Sequence, residues 1–249
     1  MNALSLISFL CIVGIGSYLQ AFTGFALSIF VLGAVVMFQL VSLDTTATAI
    51  NIMTLANSAL ALRGNMHLMN GRLLRRTLLG VLPGVPIGLW ILDRLNASSA
   101  QILQLVFGVV VIIAGATLCV RPKPRTARSG TGSFVVAGAL GGVLGGMFSV
   151  PGPPVIYHFY VQPLALEQVR LTLLGIFGAV ALVRLVLLAT YGAVGSDALY
   201  LGLLSLPVVA LTTAIFIRFP PRLSETTIRR AAFVLLSGMG VGILLMASR

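Results

Sequence analysis

Acidic side chains are scarce in this chain: Asp and Glu number 5 in 249 residues, and charged residues of both signs make up only 8%. A soluble domain carries roughly a quarter charged residues and needs polar groups to cover its surface. With 58% hydrophobic residues and a mean hydropathy of +1.08, most of this surface must face lipid. Cysteine is as sparse. Cys11 and Cys119 lie inside apolar segments without CxxC spacing, which points to neither a disulfide framework nor a metal site. Histidine is limited to His67 and His158. HExxH, a GxSxG nucleophile elbow and a P-loop lysine are all missing, so hydrolytic and nucleotide chemistry have no candidate residues. The chain does not read as an enzyme, and neither a cofactor nor a metal is expected. The first apolar run lacks a basic n-region, so no cleavable signal peptide is expected.

What is there is positive charge, a net +11, and its placement decides its meaning. Twelve of the 16 Lys and Arg fall in three clusters, Arg63 to Arg76, Arg121 to Arg128 and Arg218 to Arg230, each between apolar segments. That is the pattern of cytoplasmic loops in a multi-pass protein of the cell inner (plasma) membrane. It is not the continuous basic face of a nucleic-acid binder, and no nucleic-acid partner is expected.

A spanning helix needs about 20 mostly apolar residues. Segments 45–62, 73–92, 101–120, 168–191, 198–217 and 231–247 meet that condition. Two further stretches, 3–41 and 134–161, are apolar but interrupted by Gly, Ser, Thr or Pro. The two halves match at a nearly constant offset. Phe22-Thr-Gly-Phe-Ala sits against Phe148-Ser-Val-Pro-Gly, Asp44 against Glu167, Leu82-Pro83 against Leu206-Pro207, and the run from Phe107 against that from Phe233. This predicts a first repeat over 1–120, a cytoplasmic linker over 121–133 and a second repeat over 134–249.

Charge orients the halves. All three basic clusters can be cytoplasmic only if 134–161 crosses the membrane zero times or twice, and it is too short for two spans of about 20 residues. The fold expected is therefore an all-α membrane protein of two inverted repeats. Each repeat is a re-entrant or broken-helix hairpin (3–41 and 134–161) followed by three transmembrane helices. Asp44, Asp93 and Asp197 then lie outside.

Ser149-Val-Pro-Gly-Pro-Pro154 cannot continue a helix, because proline removes a backbone donor and clashes with the preceding turn at a cost of about 3 kcal/mol. Broken backbone at membrane depth must be buried in protein or line a cavity. Proline suits a first turn, so a half-helix is expected to start at Pro153 or Pro154, after Ser149 and Gly152. Its free N–H groups and dipole would suit an anion near the midplane. Thr23-Gly24-Phe25 stands at the equivalent point, with Thr23 a candidate cap. Two readings stay open there, an anion site and a kink without a ligand. Asn51 and Asn57 lead a set of polar residues in 45–62 that either glue helices together or line a pathway. Arg184, the one charge well inside a span, either contacts substrate or snorkels outward. Tyr157 and His158 follow the break and could donate to an anion or relay a proton, and His158 could equally be structural.

Gly16-Ser-Tyr-Leu-Gln-Ala-Phe-Thr-Gly-Phe25 resembles the first signature of the TauE/SafE sulfite-exporter family (toluene sulfonate uptake permease-like membrane transporters). Gly141-Gly-Val-Leu-Gly-Gly-Met-Phe-Ser-Val-Pro-Gly-Pro-Pro-Val-Ile-Tyr157 resembles its second. The chain departs from the family pattern at Ala26, where Gly is usual, and at Ser149-Val150-Pro151, where Gly-Ile-Gly is typical. The resemblance implies export of sulfite or a small organosulfonate. The candidate substrate residues are then Gln20, Thr23, Gly24, Phe25, Asn51, Asn57, Ser149, Gly152, Pro153, Pro154, Tyr157, His158 and Arg184. The expected partners are a small anion and the lipid bilayer, with a coupling proton or sodium ion and a homodimer left open. Cation-coupled uptake of a sulfonate, thiosulfate or carboxylate is the alternative within transport. A non-transporting membrane scaffold is the alternative outside it.

Overall fold

In a computed structural model, residues 3–98, 100–119, 125–219 and 225–247 are described, and those residues form α-helices joined by short turns, with no strand among them. The helices are α1 (Ala3–Thr23), α2 (Ala26–Met37), α3 (Leu43–Leu62), α4 (Gly71–Ser98), α5 (Ala100–Cys119), α6 (Thr131–Phe148), α7 (Gly152–Tyr160), α8 (Leu166–Thr190), α9 (Ser196–Arg218) and α10 (Glu225–Ala247). Residues 120–124 and 220–224 and the side chains of 117–119 and 225–232 lie outside the described residues, and with them Arg121, Lys123, Arg222, Arg229 and Arg230 of the expected basic clusters.

Among the described residues, five helices are long and apolar enough to cross a membrane: Ala3–Ala21, Gly71–Leu95, Thr131–Phe148, Leu166–Thr190 and Ser196–Phe216. The α3 helix is equally long but is lowered in hydropathy by its Thr and Asn residues. Both apolar stretches with interruptions break where the glycines and prolines stand. Their arms are unequal: α1 and α6 have 21 and 18 residues, whereas α2 and α7 have 12 and 9. The first arms are therefore span-length rather than half-helices, since nothing before Gly24 or Ser149 interrupts the hydrogen-bond ladder.

Contacts fix the helix directions. The α3 and α8 helices run antiparallel: the Ser58 hydroxyl donates to the Leu174 carbonyl at 3.0 Å, while Thr48 and Arg184 share a cavity toward the other end. The α5 and α10 helices are also antiparallel, with Gly108 facing Leu244 and Gly115 facing Leu236. By contrast α4 and α6 run parallel, with Gly84 against Ala139 and Gly88 against Gly146. Likewise α1 and α9 run parallel, with Gly14 against Val208 and the Tyr18 and Phe216 rings 5.7 Å apart.

The α4–α6 contact is the tightest. Gly84 and Gly88 on α4 meet Gly142 and Gly146 on α6, with Gly80 against Val135 and Ala139 and Gly138 against Thr77, and a Cβ at Gly84 would stand 2.6 Å from the Ala139 carbonyl oxygen. In lipid, where burying apolar surface gives no net drive, such close packing of small residues is what holds helices together. It also fixes the end of α6, where the second break begins.

Candidate anion-binding site

At the first break Gly24 takes φ +86, a left-handed conformation that a side chain would strain. The Thr23 Oγ1 donates to the Leu19 carbonyl at 2.8 Å and accepts from the Phe25 and Ala26 N–H groups at 3.4 and 3.2 Å. Gln20 Oε1 accepts from Leu27 N–H at 3.1 Å. The first donors of α2 are thus already taken by Thr23 and Gln20, which act here as caps. Phe25 is buried, and the Gln20 Nε2 is buried without a partner.

At the second break Ser149 is left-handed, φ 57, and Gly152 has φ 37. The Ser149 hydroxyl donates to the Ala47 carbonyl of α3 at 2.7 Å. The α7 helix starts at Gly152, directly followed by Pro153 and Pro154. The residues that break the chain therefore also strip its new N-terminus of two N–H donors, which makes a purely backbone anion site poorer than the sequence reading supposed. Tyr157 is half-exposed, and His158 packs edge-on against Phe134 with its Nε2 3.3 Å from the Ser133 hydroxyl. Neither joins the break.

The two breaks do not converge. Ser149 touches α3 near its first turn, whereas Gly24 lies against Arg170 near the first turn of α8, at the opposite end of the antiparallel pair. The Tyr160 hydroxyl, at the far end of α7, reaches the Thr23 carbonyl at 3.4 Å.

Arg184 is 1% exposed. It does not spread over a membrane surface; its Nε donates to the Gly146 carbonyl in the last turn of α6 at 2.8 Å, and its NH1 has no acceptor among the described residues. The residue lines a cavity of about 480 Å³ together with Asp44, Thr45, Thr48, Asp93 and Tyr191. A buried guanidinium N–H without a protein partner, beside open space, is a donor waiting for an anion or water.

The profile of the sulfite exporter TauE/SafE family matches residues 8–243. The chain is also similar to the probable sulfite/organosulfonate exporter TauE of Cupriavidus necator, 37% identical over 244 residues that cover 98% of this chain and 95% of that protein. The chain belongs to the TauE/SafE family. The family consists of membrane exporters, not enzymes, so this is a multi-pass membrane transporter. No solved structure matches it.

Within this TauE/SafE chain, Asn51 and Asn57 are both buried on α3. Asn57 Oδ1 accepts from the Thr213 hydroxyl at 3.0 Å, which leaves its Nδ2 without an acceptor, as is that of Asn51. Asn57 lines a second cavity of about 250 Å³ with Arg170 and Thr213. The sequence reading did not single out those last two. Arg170 stands close to the start of segment 168–191, where a charge reads as an end residue, and Thr213 needs its partner Asn57 to be noticed.

Proposed function

We propose that the chain exports a small sulfur-containing anion, sulfite or an organosulfonate, across the cell inner (plasma) membrane by alternating access. The name of its Cupriavidus necator relative supports the substrate class. One observation supports the route. The α8 helix carries an arginine in a cavity at each end, Arg184 and Arg170, each with a buried N–H that lacks an acceptor. Between them α3 presents Thr45, Thr48, Asn51, Thr54 and Asn57, one polar residue at every third position, with Asn51 Nδ2 and Thr54 Oγ1 also unpartnered. Donors without acceptors along one helix suit a passing anion better than they suit helix-to-helix glue, which would have paired them.

Two inverted repeats, α1–α5 and α6–α10, provide the alternation. In support, the counterpart pairs α3/α8 and α5/α10 run antiparallel, and exchanging the halves turns the parallel α1/α9 contact into the parallel α6/α4 contact. The substrate therefore moves between two end cavities rather than sitting at one midplane cluster of half-helix N-termini. Export of a monoanion from an inside-negative cell gains about 2.3 kcal/mol per 100 mV, so no coupling ion is required.

The test is flux. Proteoliposomes should release sulfite or ethanesulfonate faster than protein-free vesicles, and release should quicken when the lumen is made negative. Flux equal to that of empty vesicles for sulfite, ethanesulfonate, taurine, thiosulfate and acetate would leave the scaffold reading in its place.

A further inference from the structure

The cavity at the Arg170 end differs from the Arg184 cavity in one respect that bears on direction. Arg184 shares its space with Asp44 and Asp93. Arg170 shares its own with Asn57, Thr213, Leu174 and Phe216, and no acidic side chain lines it among the described residues. A cation flanked by carboxylates offers an arriving anion competition and repulsion, whereas a cation flanked by amide and hydroxyl donors offers neither.

The Arg170 site is also built rather than incidental. The aliphatic stem of Arg170 lies flat on the first break, where a Cβ on Gly24 would stand 2.8 Å from its Cγ. Its guanidinium carbon sits 6.0 Å from the centre of the Phe216 ring. Asn57 is 1% exposed and is oriented by the Thr213 hydroxyl, which donates to its Oδ1, and its amide nitrogen has no acceptor among the described residues. Asn65, exposed in the loop after α3, lines the same cavity, and in the chain that loop follows Arg63 and leads to Arg72, Arg75 and Arg76.

We infer that Arg170, Asn57 and Thr213 form the loading site for the exported anion, and that it takes the sulfonate group of a small organosulfonate. One guanidinium matches one negative charge. Its planar fork suits a pair of sulfonate oxygens, and the Asn57 amide supplies a donor to the third. The volume of about 250 Å³ lies just under the usual range of roughly 300–1,000 Å³ for organic ligands, which leaves room for a short hydrocarbon stem along Leu174 and Phe216. This rests on the transport reading above, but binding and flux can fail separately.

Full-length protein in lipid nanodiscs is titrated calorimetrically with ethanesulfonate, sulfite and acetate. The wild type should bind ethanesulfonate tighter than acetate. Asn57→Asp keeps the size and the oxygen that Thr213 donates to, but places a negative charge beside Arg170; ethanesulfonate affinity should fall at least about tenfold. Arg170→Lys should lose about tenfold with the fork, and Arg170→Gln more. If the Arg170 variants fail to fold, Asn57→Asp and a footprint on otherwise intact sites carry the test. For the footprint, a cysteine replaces Asn65 in a background with Cys11 and Cys119 changed to Ser, and ethanesulfonate should slow its maleimide labelling several-fold. Affinity unchanged in both Asn57→Asp and Arg170→Gln overturns the site, as does a loss confined to Arg184→Gln or an absence of protection at position 65. Wild-type protein that binds as described but moves no anion would sink the transport reading and leave the site standing.

Discussion

Arg184 on α8 donates from Nε to the carbonyl oxygen of Gly146, in the last turn of α6, at 2.8 Å. The carbonyls of a helix end lack intrahelical partners and carry the negative end of its dipole, so a guanidinium there satisfies both needs. One side of Arg184 thus holds the second broken helix in place, while NH1 stays unpartnered beside the 480 Å³ cavity. A ligand that bound NH1 would be linked directly to the end of α6.

That double role gives Arg184 variants two separable effects. Arg184→Lys keeps the charge but not the fork, so sulfonate affinity on that side should fall about tenfold, and Arg184→Gln further. Arg184→Gln should also lower the melting temperature, because the Gly146 carbonyl loses a charged donor worth about 1.5–3 kcal/mol, and Arg184→Lys should lower it less, because its ammonium is still a charged donor. Transport affinity is measured in proteoliposomes and melting in detergent. A melting change with unchanged affinity in both variants assigns Arg184 to the helix end alone.

Thr23→Val tests whether the first break binds or merely caps. The substitution keeps shape but removes the oxygen that Phe25 and Ala26 N–H groups donate to. As a cap, Thr23 should show a loss of about 1–2 kcal/mol in stability with sulfonate affinity within twofold of wild type. A tenfold loss of affinity at unchanged stability would make Thr23 a ligand instead.

The places where the chain breaks were legible in the sequence because proline and glycine act locally, and Gly24 and the Ser149–Pro154 run interrupt their helices where expected. The chemistry of the breaks was less so. Thr23 and Gln20 fill the donors of α2, and Pro153 and Pro154 remove those of α7, so the side-chain cavities rather than the half-helix ends became the candidate sites. Arg170 escaped notice because its depth depends on where α8 begins and on Gly24 and Phe216 being beside it, which no local pattern encodes. The glycines of α4 and α6 are visible as repeats of four, but only the fold says that they face each other.

Those glycines give a stability prediction. Gly142→Val would set a Cβ 2.8 Å from the Val81 carbonyl oxygen and 3.0 Å from the Gly84 Cα, both backbone atoms that cannot swing away. The two helices must then separate, at a cost of about 1–3 kcal/mol or more. A marked fall in melting temperature and in yield of monodisperse protein is expected, whereas Gly132→Ala, with nothing within 4 Å, should be neutral. Equal melting for Gly142→Val and wild type would mean that α4 and α6 do not pack through this face.

Topology decides whether the Arg170 cavity faces the cytoplasm at all. The loop after α3 carries Arg63 and leads to Arg72, Arg75 and Arg76, whereas the opposite end carries Asp44, Asp93 and Asp197. The bias of Lys and Arg toward cytoplasmic loops places the first set inside. Single cysteines at Asn65 and Thr126 should therefore react with an impermeant maleimide only in inside-out vesicles, and a cysteine at Ser196 only in intact cells or spheroplasts. Asn65 and Ser196 lie at opposite ends of the parallel helices α3 and α9, one just after α3 ends and the other where α9 begins, so labelling of both from one side contradicts the fold itself. Labelling of each from the side opposite to that expected would keep the fold and reverse the protein. The Arg170 cavity would then face outward, and the same donors that load an exporter would load an importer, which is the outcome that turns the proposed direction around.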